Sequence, residues 1–469
     1  MLPKDNFYDL ILTHRLPVSR GNMTVKQFLK IYFSDYINSF KDALNRTENC
    51  SLREECYSLL ASKVSSLEEL CADILTVFDY YDSADMKKLY KHFSVMMKKI
   101  ETLLFTKSIG DIGYESYRSY YRMRAGNQIF DRLDLFHIPM NKRHLIKSYR
   151  YSIPGYPCLY LSSGLEMCWF ECGMPKEFSY AAFMLEATNS NRVNLIDFTI
   201  QPIDFVSSVS LNYYNHPEDG SLIDNFIAKY LVLFPLRVAC SLEVANREVS
   251  FVEEYIFPQQ LLLWVRENKI YDGIAYRTCS AIERAREWNY INLVMPAKEL
   301  EDGYCKRLNS VFTVTEPVKV EIRNIIRCYQ SQIQNVKDFL TFIEPKYYNG
   351  YSIYPYRELI SLCKTFIQLC NMLLHDNYNN GEAIYQSMNT LNLLSYLIIE
   401  NKDSIKEKSL AEAKDLFYGV DEMIIVQEFE EIMEQFSKNV KPVFFELWSY
   451  VSRISSNTHV DYSTYQHIL

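Results

Sequence analysis

The sequence predicts an α+β chain, with a strand-containing centre between helical flanks. Three observations lead there. Glycine is scarce, 13 in 469 residues, which disfavours a turn-dense all-β architecture and suits long helices. Apolar residues recur at helical spacing towards both ends of the chain. Between Ser119 and Val314, short β-prone segments are interleaved with apolar stretches long enough for helices. A chain of 469 residues holds two or three domains at roughly 100–200 residues each. The changes of texture divide it into a helical region over 1–110, a mixed region over 111–317 and a second helical region over 318–469.

Each region carries its own signals. In the first, Thr24-x-x-Gln27, Ser51-x-x-Glu54 and Ser66-x-x-Glu69 are capping-box patterns ahead of amphipathic stretches. From Met86 onward, Leu89, Phe93, Met96, Met97, Ile100, Leu103 and Leu104 form an apolar stripe, which reads as a packing face. The middle region holds the β-prone segments 119–124, 158–162, 180–185, 193–198, 273–278, 290–294 and 311–314, with helices expected over 223–238 and 258–267. In the last region, Leu359, Cys363, Phe366, Ile367, Cys370, Leu373 and Leu374 make one helical stripe. Ile384, Met388, Leu391, Leu394 and Leu397 make another, beyond an Asn-rich turn at 376–381.

Composition excludes several classes. With 48% hydrophobic and 14% aromatic residues the chain can build large cores. A net charge of −8 argues against a nucleic-acid or anionic-membrane partner. The apolar run 230–240 is interrupted by Pro235 and Arg237 and is too short to span a bilayer. Residues 1–20 carry Lys4, Asp5, Asp9 and Arg15, which leaves no uninterrupted apolar core for a signal peptide. The 12 cysteines are scattered without a C-x-x-C pair, so reduced thiols in a cytoplasmic protein are expected, and no metal. One segment departs from the acidic whole: between Arg118 and Arg150 eight Lys/Arg face only Asp131 and Asp134, a local excess suited to a phosphorylated ligand or to a solvated face. No G-x-G-x-x-G, P-loop, H-E-x-x-H or G-x-S-x-G pattern occurs. Arg132 and His137 reproduce the R-x4-H spacing of HEPN ribonucleases, but inside the mixed region rather than on a helix pair, and His137 beside Ile138-Pro139 reads as structural.

The motifs that carry chemistry lie in the middle. Tyr121-Arg122-Met123-Arg124 opens the first strand. Arg150 precedes Ser152-Ile153-Pro154-Gly155, Leu159-Tyr160-Leu161 follows, and Glu171 stands eleven residues beyond Tyr160. Further on come Glu254-Tyr255, Pro258-Gln259 and the run from Tyr271 through Asp272-Gly273 to Arg277-Thr278. In this order and spacing, the span from about 118 to 300 resembles the RES domain, a bacterial family named for Arg, Glu and Ser. The resemblance implies a fold related to ADP-ribosyltransferase toxins. It implies cleavage of NAD at the nicotinamide–ribose bond, with ADP-ribose passed to water, phosphate or a protein. It further implies a toxin or phage-defence role, an antitoxin or other regulatory protein as partner, and NAD as substrate without a metal. The helical flanks are expected to gate the site, sense a signal or drive homo-oligomer formation.

The resemblance places Glu171, Tyr160 and Arg122 in catalysis, and Arg150, Arg124, Thr278 and Ser280 around NAD. Where the family closes on Ser this chain has Thr278, which keeps the hydroxyl but adds a methyl; Ser280 is the nearby substitute. The residue types suit the chemistry. Departure of nicotinamide leaves positive charge on the ribose, which a carboxylate at Glu171 can stabilise. A pyrophosphate suits the fixed fork of Arg, with Arg122 and Arg150 the leading candidates and Arg124 the rival to Arg122. Tyr160 can stack on nicotinamide. Taken singly, each Arg fits a surface ion pair and Tyr160 a half-buried strand position; their order is what selects the reading. The competing classes are a binding module for NAD or ADP-ribose without turnover, and a helical interaction protein with no affinity for NAD.

Overall fold

In the computed structural model the described residues cover 6–45, 52–111, 119–173, 177–185, 193–215, 219–244, 249–279, 290–321 and 330–348, with isolated positions elsewhere. The chain opens with helices α1 (Asn6–Thr13), α2 (Val25–Asn45), α3 (Glu54–Ser62), α4 (Val64–Asp82) and α5 (Met86–Ile100). The capping box at the start of α2 is formed in both directions: Gln27 N donates to Thr24 Oγ1 at 3.2 Å and Thr24 N to Gln27 Oε1 at 3.3 Å. The Ser66–Glu69 pattern falls inside α4 instead, whose N-cap is Lys63, so this Ser does not stand at a helix start. Ser51 lies outside the described residues. In α5 the predicted stripe is the buried face, with Leu89, Phe93, Met96, Met97 and Ile100 inside and the Asp85 side chain capping Lys88 N.

The central sheet has nine strands among the described residues. They are β1 (Thr106–Ser108), β2 (Ser119–Ala125), β3 (Cys158–Ser162), β4 (Glu177–Leu185), β5 (Asn194–Phe198), β6 (Gly273–Tyr276), β7 (Asn292–Pro296), β10 (Phe312–Val314) and β11 (Val318–Glu321); β8 (Leu300–Glu301) and β9 (Tyr304–Cys305) form a separate ribbon. The order is β1-β5-β6-β7-β3-β2-β4-β10, with β11 also paired to β4. All neighbours are antiparallel except β5 and β6. That parallel pair needs a crossover, supplied by α8 (Pro202–Asn215), α9 (Gly220–Cys240) and α10 (Ile256–Glu267). The helices and mixed sheet make this an α+β structure. The boundaries read at 110 and 317 fall inside the sheet, because β1 precedes the first and β11 follows the second. The polar, mostly exposed Thr106–Ser108 carries no apolar alternation from which a strand could be read, whereas the alternating Val318-Lys319-Val320-Glu321 lies where the second helical region is expected to begin.

Alternation along the strands separates two cores. Ile196, Ile274 and Val294 join an apolar cluster with α2, α4, α5, α9 and α10. Their neighbours Leu195, Ala275 and Leu293 face a second, smaller cluster containing Leu135, Phe136, Leu308 and Val311, residues of α6 (Arg132–Leu135), α11 (Lys306–Val311) and the chain beside α6. The N-terminal helices therefore share one core with the crossover helices. Tyr36 of α2 stacks on Phe234 of α9 at 5.2 Å and donates its hydroxyl to Leu231 O at 2.9 Å. α9 is buried on almost every side, which explains its continuous apolar sequence without a membrane; no described helix is long and apolar enough to cross one. Arg237, fully buried on α9, donates to Asp197 O and Ile200 O and lies 5.3 Å from the Phe105 ring.

Beyond the sheet, α12 (Gln330–Tyr348) buries Val336, Phe339, Leu340 and Ile343. Apart from isolated positions, the two stripes predicted beyond residue 358 lie outside the described residues. The described cysteines are free thiols.

Candidate active site

The sheet opens between β2 and β3. β2 is laddered to β4 along its length and β3 to β7 along its length, whereas β2 and β3 meet at one pair, Tyr121 with Ser162. Beyond that pair a side chain bridges the strands: Arg122 Nη1 on β2 donates to the Tyr160 carbonyl on β3 at 3.3 Å. Helix α7 (Leu165–Glu171) sits against the opening, with Cys168 Sγ donating to Tyr121 O at 3.2 Å. A parting of strands exposes backbone and side chains to a ligand that a continuous ladder would exclude.

Glu171 ends α7, its side chain exposed, and its Oε1 accepts a hydrogen bond of 2.6 Å from the Thr278 hydroxyl. Thr278 is buried just past the end of β6. Tyr276, two residues earlier, is half-buried with its ring 4.9 Å from that of Tyr151. Burial raises the Tyr276 pKa well above its ordinary value, and the Glu171 charge adds to the rise, so the phenol stays neutral beside the carboxylate. Tyr160 is half-buried, and its hydroxyl pairs with Ser152 Oγ at 2.7 Å. Its ring meets Tyr149 edge-on at 6.0 Å.

The arginines take three different positions. Arg122 is half-buried, and no carboxylate among the described residues pairs with it. Burial lowers its pKa, partly opposed by Cys172, Tyr149 and Cys168. Arg124, on the same face of β2, is committed to Asp134: it donates to the carbonyl at 3.3 Å and to Oδ1 at 3.4 Å, with Phe130 beneath it at 4.6 Å. Arg150, expected at a pyrophosphate, is turned inward. Its Nη1 donates to Cys240 O at 3.2 Å and its Nη2 to Leu242 O at 2.8 Å, with the Tyr255 ring at 5.6 Å. α9 ends at Cys240, and carbonyls at a helix C-terminus lack intrahelical donors and favour a cation. The N-terminal region braces the same wall, since Val18 bridges Leu242 and Arg20 pairs with Glu254 at 2.8 Å.

Glu171 is thus joined to Thr278 and Arg122 to the Tyr160 carbonyl, Arg150 has its donors engaged by Cys240 O and Leu242 O, Arg124 is held by Asp134, and Ser280 lies outside the described residues. Sequence reasoning missed the turn Tyr149–Ser152. Its ends exchange backbone hydrogen bonds, Tyr149 N to Ser152 O at 2.9 Å and Ser152 N to Tyr149 O at 3.1 Å. Gln259 Nε2 reaches Ser148 Oγ, Tyr149 O and Ser152 O at 2.9, 3.0 and 3.2 Å. Tyr149 is one of 37 tyrosines, and nothing in its neighbours along the chain marks it out. His137 is structural: fully buried, it lies 3.0 Å from Ile138 O through Nδ1 and accepts Cys305 N–H at Nε2 at 2.8 Å. Its spacing partner Arg132 pairs with Glu316 at 2.7 Å. Among the described residues no group of His, Cys, Asp and Glu could hold a metal ion.

No protein-family model matches the sequence. No solved structure matches it. The chain is similar to a Bacillus subtilis (strain 168) protein named "Putative toxin YopC", with 29% identity over an alignment of 319 residues that covers 65% of this chain and 68% of that protein.

Proposed function

We propose that the opening between β2 and β3 binds NAD and breaks its nicotinamide–ribose bond, as the resemblance to the RES domain implies, and that the protein acts as a toxin-type effector. The observation that carries the reading is Arg122. A half-buried guanidinium with no carboxylate partner among the described residues favours an anionic ligand, and the reading sets the Glu171–Thr278 pair and the aromatic rings of Tyr149 and Tyr160 around the same ligand. Those are the groups that a flat, phosphate-bearing sugar derivative needs. The name of the Bacillus subtilis relative supports the toxin role.

In this reading Arg122 holds the pyrophosphate and Glu171 faces the ribose. As the bond from ribose C1′ to the nicotinamide nitrogen breaks, the electron pair leaves with nicotinamide. The Glu171 charge stabilises the cation that remains until water, phosphate or a protein nucleophile adds to C1′. Thr278 orients the carboxylate, and Arg150 supports the wall behind it. Thr278 retains the one feature of the family's Ser that this geometry uses, a hydroxyl donor. The test is nicotinamide release from NAD by the purified full chain, with and without phosphate and with an added protein acceptor. Release is the expected result, and its product names the acceptor. NAD binding without release would instead support a binding module, and no binding would overturn the reading.

A further inference from the structure

Tyr160 is held at both of its polar ends. Its carbonyl accepts from Arg122 at 3.3 Å, and its hydroxyl pairs with Ser152 Oγ at 2.7 Å. The ring between them is half-buried, so its direction follows from the partner that its hydroxyl meets. That partner is fixed in turn. Ser152 is 1% exposed and closes a turn with Tyr149 through two backbone hydrogen bonds. Arg150, inside the turn, is tied to Cys240 O and Leu242 O. Gln259 fastens the turn to α10, with its Nε2 at 2.9, 3.0 and 3.2 Å from Ser148 Oγ, Tyr149 O and Ser152 O. An amide nitrogen is a donor only, and all three of these atoms can accept from it. A run of hydrogen bonds therefore leads from α10 through Gln259, the turn and Ser152 to Tyr160, and from the Tyr160 carbonyl to Arg122. Neither Gln259 nor the Ser152 hydroxyl has a part in the mechanism above. A phenol without a fixed partner samples several orientations and must be ordered when a ligand binds; one already held avoids that cost.

We propose that Ser152 is a positioning residue, anchored from α10 by Gln259, that holds the Tyr160 hydroxyl and so presets the side chain before NAD arrives. The proposal rests on the NAD reading above and deepens it by adding two residues that act through Tyr160. Ordering one side chain is worth roughly two- to tenfold in affinity.

The experiment is a double-mutant cycle in the full chain. NAD Kd, NAD KM and urea unfolding are measured for the wild type, Ser152→Ala, Tyr160→Phe and the double variant. Each single change removes the same hydrogen bond and is expected to weaken NAD binding about fivefold, with KM rising in step; the double variant is expected to be no weaker than about fivefold. Gln259→Leu is expected to weaken binding about threefold in the wild-type background and by less than about 1.5-fold in Tyr160→Phe. Losses that multiply to about 25-fold in the double variant overturn the proposal, because Ser152 then acts independently of the phenol. So does a Ser152→Ala protein with lowered stability and unchanged NAD Kd, since the hydrogen bond then serves the fold alone. An unchanged Kd in Gln259→Leu, or the same loss in both backgrounds, overturns the anchoring through Tyr160. Wild-type protein that neither binds NAD nor releases nicotinamide overturns the parent reading, a result distinct from all of these.

Discussion

The hydroxyl of Thr278 donates to Glu171 Oε1 at 2.6 Å, joining the end of β6 to the end of α7 across 107 residues of sequence. A carboxylate held in this way has one oxygen oriented by the protein. Glu171→Gln keeps the shape of the group and its capacity to accept that hydrogen bond, but removes its charge. NAD affinity and melting temperature are expected to stay near wild type, while nicotinamide release falls by on the order of 10² to 10³, the range for loss of a transition-state electrostatic partner. Single-turnover rates and direct NAD titration check it. Wild-type turnover in Glu171→Gln would remove the residue from the mechanism.

Thr278 separates orientation from charge. Thr278→Val preserves the branched shape and deletes the donor that orients Oε1. We expect kcat to fall about tenfold, near the 1 kcal/mol typical of one hydrogen bond, with little change in KM. Thr278→Ser restores the donor and is expected to recover activity. A Ser variant as slow as the Val variant would show that the methyl, through packing, is what matters.

Arg122 and Arg150 are expected to fail differently. Arg122 has one hydrogen bond to the Tyr160 carbonyl and no carboxylate partner among the described residues, so Arg122→Ala should raise NAD KM with a modest change in stability. Arg150 donates to two buried carbonyls, and Arg150→Met leaves both without that donor. Stability should drop by about 2–3 kcal/mol, the cost of orphaned buried acceptors, measured by urea denaturation. An Arg150→Met protein of wild-type stability that loses only NAD affinity would return Arg150 to the ligand.

Stability should also fall on mild acidification. Burial lowers the His137 pKa to about 4 from its ordinary 6.5, opposed by the Ile138 carbonyl. The unfolded chain takes up this proton first, so the contribution of His137 is complete above pH 6.5. It shrinks as the pH falls from 6.5 towards 4 and changes no further below that. Over the window the loss is about 3 kcal/mol. Burial lowers His14 in the same sense. Denaturation midpoints from pH 7 to pH 4 should fall for the wild type and fall less steeply for His137→Gln. Equal slopes would exclude His137 as the source.

The elements and the site were legible in the sequence to different degrees. Strands such as Cys158–Ser162 and Asn194–Phe198 are visible because buried strands need unbroken or alternating apolar residues. The α2 capping box is visible because a helix start has local hydrogen-bonding needs. Glu171, Tyr160 and Arg122 could be named from the order of their motifs. The sequence could not reveal that Arg122 and Arg124, two residues apart on one strand face, differ in partner, because Asp134 reaches only one of them. Nor could it place Arg150 at the end of α9, 90 residues away, or bring Gln259 to the turn carrying Tyr149, 110 residues from it. Local patterns determine which segments become strands and helices, since those depend on neighbours a few residues apart. Which polar side chains are satisfied inside and which are left for a ligand depends on contacts between distant elements, and only the folded arrangement decides that.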